Sequence, residues 1–209
     1  APNRIVFSTT ITACERGTRW GIAIKLAEEM QLSAINPDIV VYNSIISAWA
    51  RSRHWQFALN SLQTMAKQAV YPDVISHNAA ISACARSHQW VAALGVLQEM
   101  RDHIMRPTAI SFNAVLHACE LGATPVWTGA LQLLLQMPQE RLEADVISYT
   151  CAMNACVRSE QWAKALELLS KMRQKKVHPN HTTCSAAISA CSFMRRWREV
   201  LCLFAEADP

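Results

Sequence analysis

Apolar residues in the stretch 39–73 fall at helical spacing twice over. Val41, Ile45, Ile46, Ala48 and Trp49 make one run at three- and four-residue steps; Trp55, Ala58, Leu59, Leu62 and Met65 make another. Between them lies the polar group Arg51-Ser52-Arg53-His54. Pro72 follows the second run, where a proline stops a helix without breaking it. The pattern predicts a helical hairpin. Residues 74–108 write nearly the same sentence: Ser-Ala-Trp-Ala-Arg-Ser becomes Ser-Ala-Cys-Ala-Arg-Ser, and Trp55, Met65 and Pro72 return 35 residues later as Trp90, Met100 and Pro107.

The repeat runs the length of the chain. Tryptophan stands in register at 20, 55, 90, 127, 162 and 197, with gaps of 35, 35, 37, 35 and 35. Ten residues on come Met30, Met65, Met100, Met137 and Met172, a series that Ala207 breaks; seventeen on come Pro37, Pro72, Pro107 and Pro179, with Ala144 the exception. This places repeats at 4–38, 39–73, 74–108, 109–145 and 146–180, with a partial repeat at 181–209. The two extra residues of the fourth repeat are expected in its intra-hairpin turn, 120–126, where an insertion costs least.

Alanines recur where two helices would touch: Ala13, Ala48, Ala83, Ala118, Ala155 and Ala190 in the first, and Ala23, Ala58, Ala93, Ala130 and Ala165 in the second. Small side chains let helix axes approach to roughly 8–10 Å. A single hairpin cannot bury its apolar face, so the repeats are expected to stack into an all-α solenoid.

Composition changes this picture little. The chain has 209 residues, 51% hydrophobic and 17% charged with only 5 glycines, which excludes a linker or a disordered segment. No apolar run reaches the roughly 18 residues a membrane helix needs, so no span is expected. The net charge of +4 is weakly basic, compatible with a nucleic-acid partner without requiring one.

The eight cysteines resolve into packing positions once placed in register. Cys14, Cys84, Cys119, Cys156 and Cys191 share one apolar position, where the second repeat has Trp49. Equivalent positions on stacked hairpins are roughly 8–10 Å apart, beyond the Cα limit near 7 Å for a disulfide. There is no C-x-x-C, and the seven histidines share no ligand spacing, so free structural thiols and no bound metal or cofactor are expected. No H-x-E with P-C-x-x-C, no clustered aspartates outside the repeat ends and no glycine-rich phosphate loop occur, so the chain reads as non-catalytic.

Tyr42-Asn43-Ser44-Ile45-Ile46 opens a repeat and Tyr71-Pro72-Asp73 closes one; Phe7-Ser8-Thr9, Phe112-Asn113-Ala114 and Tyr149-Thr150-Cys151 echo the opening. With the 35-residue period, these motifs resemble the pentatricopeptide repeat family. The tetratricopeptide repeat, at 34 residues with W-x2-L-G-x2-Y, fits less well: that signature is missing, and it gives the closing Pro-Asp no role.

The resemblance implies a right-handed superhelix of about six hairpins, cut from a longer array, that binds single-stranded RNA one base per repeat. It implies base-reading residues at the fifth and last positions of a repeat: Ser8 with Asp38, Asn43 with Asp73, Asn78 with Thr108, Asn113 with Asp145 and Thr150 with Asn180, with Ser185 opening the partial repeat. It implies that Ile5, Val40, Ile75, Ile110 and Ile147, at the second position, sandwich bases; Thr182 departs from that pattern. It also implies an organelle, mitochondrion or chloroplast; no targeting leader is legible at Ala1-Pro2-Asn3, which says little about compartment because the chain does not begin with Met.

The closing residue has a chemistry of its own. A carboxylate only accepts hydrogen bonds, so it selects a ring N–H, as in uracil or guanine; an asparagine amide also donates, which suits adenine or cytosine. The family's rule then adds purine for Ser or Thr and pyrimidine for Asn at the fifth position, giving 5′-G-U-pyrimidine-U-A-3′. Thr108 leaves its pyrimidine open, because a hydroxyl both donates and accepts. Arg16, Arg51, Arg86 and Arg158 recur at the end of the first helix, interrupted at Leu121 and Phe193. Such a ladder suits phosphates, and arginine there also complements the helix dipole. The alternative function is a scaffolding subunit of a large organellar complex that binds protein partners. The last helix, with Leu201, Leu203 and Phe204 unscreened, predicts self-association.

Overall fold

The computed structural model describes residues 4–17, 19–33, 35, 37–122 and 126–193; the side chains of Arg4, Glu15, Arg16, Gln31 and Phe193 lie outside the described set. The expected features at Pro2-Asn3, Trp197, Leu201, Cys202, Leu203, Phe204 and Ala207 also lie outside it. The chain divides into two compact units, Ala1–Pro107 and Thr108–Pro209.

Every regular element among the described residues is helical. The first compact unit holds α1 (Arg4–Arg16), α2 (Trp20–Leu32), α3 (Ile39–Arg51), α4 (Trp55–Lys67), α5 (Val74–Arg86) and α6 (Trp90–Asp102). The second holds α7 (Ala109–Leu121), α8 (Trp127–Gln136), a 3₁₀ turn (Met137–Glu140), α9 (Val146–Arg158), α10 (Trp162–Gln174) and α11 (His181–Phe193). In the first unit α1, α3 and α5 pack in succession, with α2 against α3 and α4 against α5. In the second, α7, α9 and α11 do the same, with α8 against α9 and α10 against α11.

The recurring residues are what let these helices touch. Ala48, Ala83, Ala118, Ala155 and Ala190 are fully buried, as are Ala23, Ala58, Ala93, Ala130 and Ala165; Ala13 is exposed. Met30, Met65, Met100, Met137 and Met172 are buried too, each a flexible side chain that fills the gap beneath a hairpin. A methionine buried this way contributes about 2–3 kcal/mol. Cys84, Cys119, Cys156 and Cys191 are buried at their shared position, and Cys14 is half-buried. Burial pushes the thiols of Cys84, Cys119 and Cys156 up to about 11. Burial and the neighbouring Glu120 push Cys151 higher still. At the one member that is tryptophan, Trp49 stacks on Phe57 with ring centroids 4.7 Å apart.

The turns close by a common device. Within hairpins, Arg53, His88 and Glu160 adopt left-handed backbone, and the next residue's N–H reaches back to the carbonyl of Trp49, Cys84 or Cys156 at 3.1, 2.9 and 2.9 Å. Between hairpins, Ala69, Ile104, Arg141 and Lys176 do the same, and the following N–H binds the carbonyl of Met65, Met100, Met137 or Met172. The fourth repeat differs. α7 ends at Leu121 and α8 begins at Trp127, so five residues separate them where three separate α3–α4, α5–α6 and α9–α10, which locates the two extra residues. Pro138, which cannot donate an N–H, ends α8 early in the 3₁₀ turn.

Candidate nucleic-acid interface

The closing residue of each hairpin turns out to be the N-cap of the next hairpin's first helix. Asp38 accepts the Val41 N–H at 3.0 Å, Asp73 the Ser76 N–H at 2.8 Å, and Asp145 the Ser148 N–H at 2.8 Å. Thr108 caps α7 through Ser111, and Asn180 Oδ1 accepts the Thr183 N–H at 2.9 Å. These side chains are held because four backbone N–H groups at a helix start otherwise lack partners. A carboxylate that caps with Oδ1 keeps acceptor capacity on Oδ2.

Two of the fifth-position residues lie directly against a cap. Asn113 Nδ2 donates to both oxygens of Asp145, at 3.2 and 3.1 Å, and its Oδ1 accepts from the Ser148 hydroxyl at 2.6 Å. Asn43 Oδ1 likewise accepts from the Ser76 hydroxyl at 2.6 Å, and its side chain hydrogen-bonds Asp73. Burial pushes the Asp73 carboxyl up, but hydrogen bonds from the Ser76 N–H and hydroxyl, from Asn43 and from the Ile75 N–H outweigh it and hold the group below its ordinary 3.8. Asp73 is therefore an anion at neutral pH and can only accept.

The other expected readers stand differently. Ser8 and Asn78 are half-buried and Ser185 is exposed. Thr150 is buried; its hydroxyl donates to the Val146 carbonyl at 2.6 Å and lies 2.8 Å from that of Thr183. Asn180 Oδ1 takes the Thr183 N–H and the hydroxyls of Thr182 and Thr183, at 2.9, 2.9 and 2.7 Å. Three donors on one oxygen orient the amide and leave Nδ2, a donor, as its other polar group.

Beside the caps stand five large aliphatics in solvent. Ile5, Val40, Ile75, Ile110 and Ile147 are 70, 52, 65, 68 and 57% exposed, each the second residue of its helix; the successors of the last four, Val41, Ser76, Ser111 and Ser148, are buried, whereas Val6 is exposed. Exposed aliphatics thus recur at one helical position in each compact unit. Arg51, Arg86 and Arg158 are exposed at the ends of α3, α5 and α9; the side chain of Arg16 lies outside the described residues. Arg158 donates to the backbone carbonyl of Glu120 in the preceding hairpin, and Asn154 donates to the Glu120 carboxylate at 2.9 Å. An acidic side chain thus stands where the arginine series lapses at Leu121.

Ser76, Ser111, Ser148 and Thr183 are the residues the sequence reading passed over. All are fully buried. The signal was legible as a hydroxyl three residues after each of Asp73, Thr108, Asp145 and Asn180, the spacing of a capping box.

Residues 37–86 and 144–193 match the PPR repeat family, and residues 62–120 match the pentatricopeptide repeat domain. The chain belongs to the pentatricopeptide repeat family. Its fold is the family's all-α helical repeat solenoid. The pentatricopeptide repeat protein PPR10 from maize aligns over 95% of this chain with a TM-score of 0.76 and 25% identity; the chain spans 28% of that protein's length. PPR10 in complex with an 18-nt psaJ RNA element aligns over 99% of the chain and 28% of PPR10, with a TM-score of 0.68 and 23% identity. The pentatricopeptide domain of Arabidopsis thaliana protein-only RNase P 1, in complex with tRNA, aligns over 94% of this chain and 98% of that domain, with a TM-score of 0.74 and 12% identity. A search of curated proteins found no match. No helix among the described residues is long and apolar enough to cross a membrane, and no group of three or more metal-ligating side chains occurs among them.

Proposed function

We propose that this pentatricopeptide repeat array binds single-stranded RNA in an organelle without catalysing a reaction, reading one base per repeat as 5′-G-U-pyrimidine-U-A-3′. The observation that carries the reading is the Asn113–Asp145 contact. It joins the fifth and last residues of one repeat into a single polar site, next to the exposed Ile110 and Ile147. The site offers an N–H and a carboxylate oxygen side by side. Uracil presents the complement, a carbonyl beside a ring N–H, whereas cytosine presents a bare ring nitrogen to the carboxylate. The flanking aliphatics would close over the two faces of a base. Arg51, Arg86 and Arg158 would track phosphates without reading sequence. The likeness to PPR10 supports the same reading.

A second reading has one observation of its own. In the second compact unit a groove of about 480 Å³ is lined by Leu131, Leu134, Leu135, Pro138 and Leu168, with Lys164 and Lys171, both paired with Glu167, and Lys175 also lining it. That apolar lining fits an amphipathic helix of a protein partner, the scaffold role. Anisotropy of a labelled RNA carrying GUUUA in an unstructured strand, titrated at low salt against the same strand with the five bases exchanged for their complements, separates the two. Tighter binding of the first RNA supports reading; no binding of either favours the scaffold.

A further inference from the structure

An asparagine amide is nearly symmetric in shape but opposite in chemistry at its two ends. Whichever end faces the ligand decides whether the site offers a donor or an acceptor. At Asn113 two neighbours decide. The Asp145 carboxylate accepts only, and it lies 3.2 and 3.1 Å from Nδ2. The Ser148 hydroxyl lies 2.6 Å from Oδ1, 2.9 Å from Asp145 Oδ1 and 3.2 Å from the Asp145 N–H, from which it accepts. Ser148 is fully buried, so water does not replace it. The hydroxyl has one proton, and the nearer acceptor is Asn113 Oδ1, so one of that oxygen's two acceptor positions is filled from inside the protein. Of the two N–H bonds on Nδ2, one is shared between the carboxylate oxygens and the other remains for a ligand. The first compact unit repeats the arrangement, with Ser76 at 2.6 Å from Asn43 Oδ1 and 2.9 Å from Asp73 Oδ1. Asp38 provides the contrast: its helix has Val41 at this position, which brings a backbone N–H to the cap but no hydroxyl.

We infer that Ser76 and Ser148 are specificity-determining positioning residues, whose buried hydroxyls lock the amides of Asn43 and Asn113 with the N–H end toward the base. The inference rests on the base-reading function proposed above. Neither serine touches the base. Each acts through the asparagine of the preceding hairpin, so discrimination between uracil and cytosine needs three residues per repeat, the third supplied by the next hairpin. Without the hydroxyl the cap survives through the backbone N–H, but Asn113 Oδ1 loses its donor, and only the Asp145 carboxylate still orients the amide. The penalty for turning over falls, and with it the bias against offering an acceptor, which the exocyclic amino group of cytosine satisfies.

The test uses the full chain and two RNAs that differ only in uracil or cytosine opposite the fourth repeat. Ser148→Ala should lower the uracil-to-cytosine affinity ratio about two- to tenfold, the worth of one hydrogen bond. The ratio opposite the second repeat should not move. Ser148→Thr should restore most of the ratio, since Thr183 fills the same position beside Asn180. Ser76→Ala should give the mirror result opposite the second repeat, and supplies the test if Ser148→Ala does not fold. A Ser148→Ala protein with a lower melting temperature and an unchanged ratio overturns the inference and leaves a capping serine. Asp145→Asn is the control for the reading itself: if wild type ignores the base and Asp145→Asn changes nothing, base reading fails and the inference falls with it.

Discussion

Asp73 accepts the backbone N–H of Ser76 at 2.8 Å, so the residue that ends one hairpin fastens the start of the next. One carboxylate oxygen serves the fold, and under the proposed reading the carboxylate as a whole would serve recognition. Substitution can separate the two. Asp73→Asn keeps a good N-cap, because Asn and Asp rank together there, so stability should change by no more than about 0.5 kcal/mol. The same change converts an acceptor-only group into one that also donates. The base opposite the second repeat should shift from uracil toward cytosine, and the lost uracil contact should cost roughly 1–3 kcal/mol, about a five- to hundredfold change in affinity. Urea unfolding and binding to RNAs varied at that base give the two readouts. A variant that unfolds earlier but keeps its base preference would make Asp73 a structural cap only.

Arg51 should behave differently. It is exposed at the end of α3, away from the capped start of the helix. Arg51→Ala should weaken all single strands alike and lower the slope of log affinity against log salt by about 0.7. A loss confined to one sequence would mean that Arg51 touches a base. Arg86→Ala should match it. Arg158→Ala should cost less affinity, because Arg158 already donates to the Glu120 carbonyl.

The helices were legible because Trp, Met and Pro recur at a fixed spacing, and because an alanine marks each close approach. The length of every hairpin turn follows from that spacing alone, including the longer one before Trp127. The turn conformations were not legible. Arg53, Ala69, His88, Ile104, Arg141, Glu160 and Lys176 hold a left-handed backbone with no glycine to announce it. Each is closed by the following N–H bonding back to a carbonyl of the helix just ended, a C-cap geometry that glycine usually adopts. At the candidate site, pairing of fifth and last residues came only from the family resemblance. That the last residue is also an N-cap was legible only as a hydroxyl three residues on, the spacing of a capping box. The sequence does not reveal that a serine 33 or 35 residues beyond an asparagine, Ser76 beyond Asn43 or Ser148 beyond Asn113, reaches back to it.

Ile104 tests the turn argument. It is β-branched, 91% exposed and held at φ 57°. Left-handed backbone costs an L-residue roughly 1–2 kcal/mol, while glycine in its place loses roughly 0.5–1 kcal/mol more chain entropy on folding. Ile104→Gly should therefore stabilise the chain by about 0.5 kcal/mol, read as a higher urea midpoint. Leu97→Gly, in the buried face of α6, should destabilise it by several times that amount, about 3 kcal/mol or more. If Ile104→Gly lowers the midpoint, the exposed isoleucine makes a contact that outweighs its backbone.

The cysteines make the last prediction. Burial places the thiols of Cys84, Cys119 and Cys156 at about 11, against an ordinary value of 9.0. At pH 8 such a thiol is only about 0.1% thiolate, and the thiolate is the reactive form. A thiol label should therefore react with these three only as fast as the hairpins open, and all three should react at once in denaturant with no reductant added. The sign for stability follows from the same shift. The folded chain holds these protons more tightly than the unfolded chain, so their contribution is fully present below pH 9 and is lost as pH rises through about 11. The urea midpoint should fall over that window. A variant with Cys84, Cys119 and Cys156 replaced by alanine should start lower, because each site loses packing, but should fall less steeply. Equal slopes would mean that other groups carry the alkaline transition, and a thiol that stays blocked in denaturant until reduced would mean that a bridge had formed.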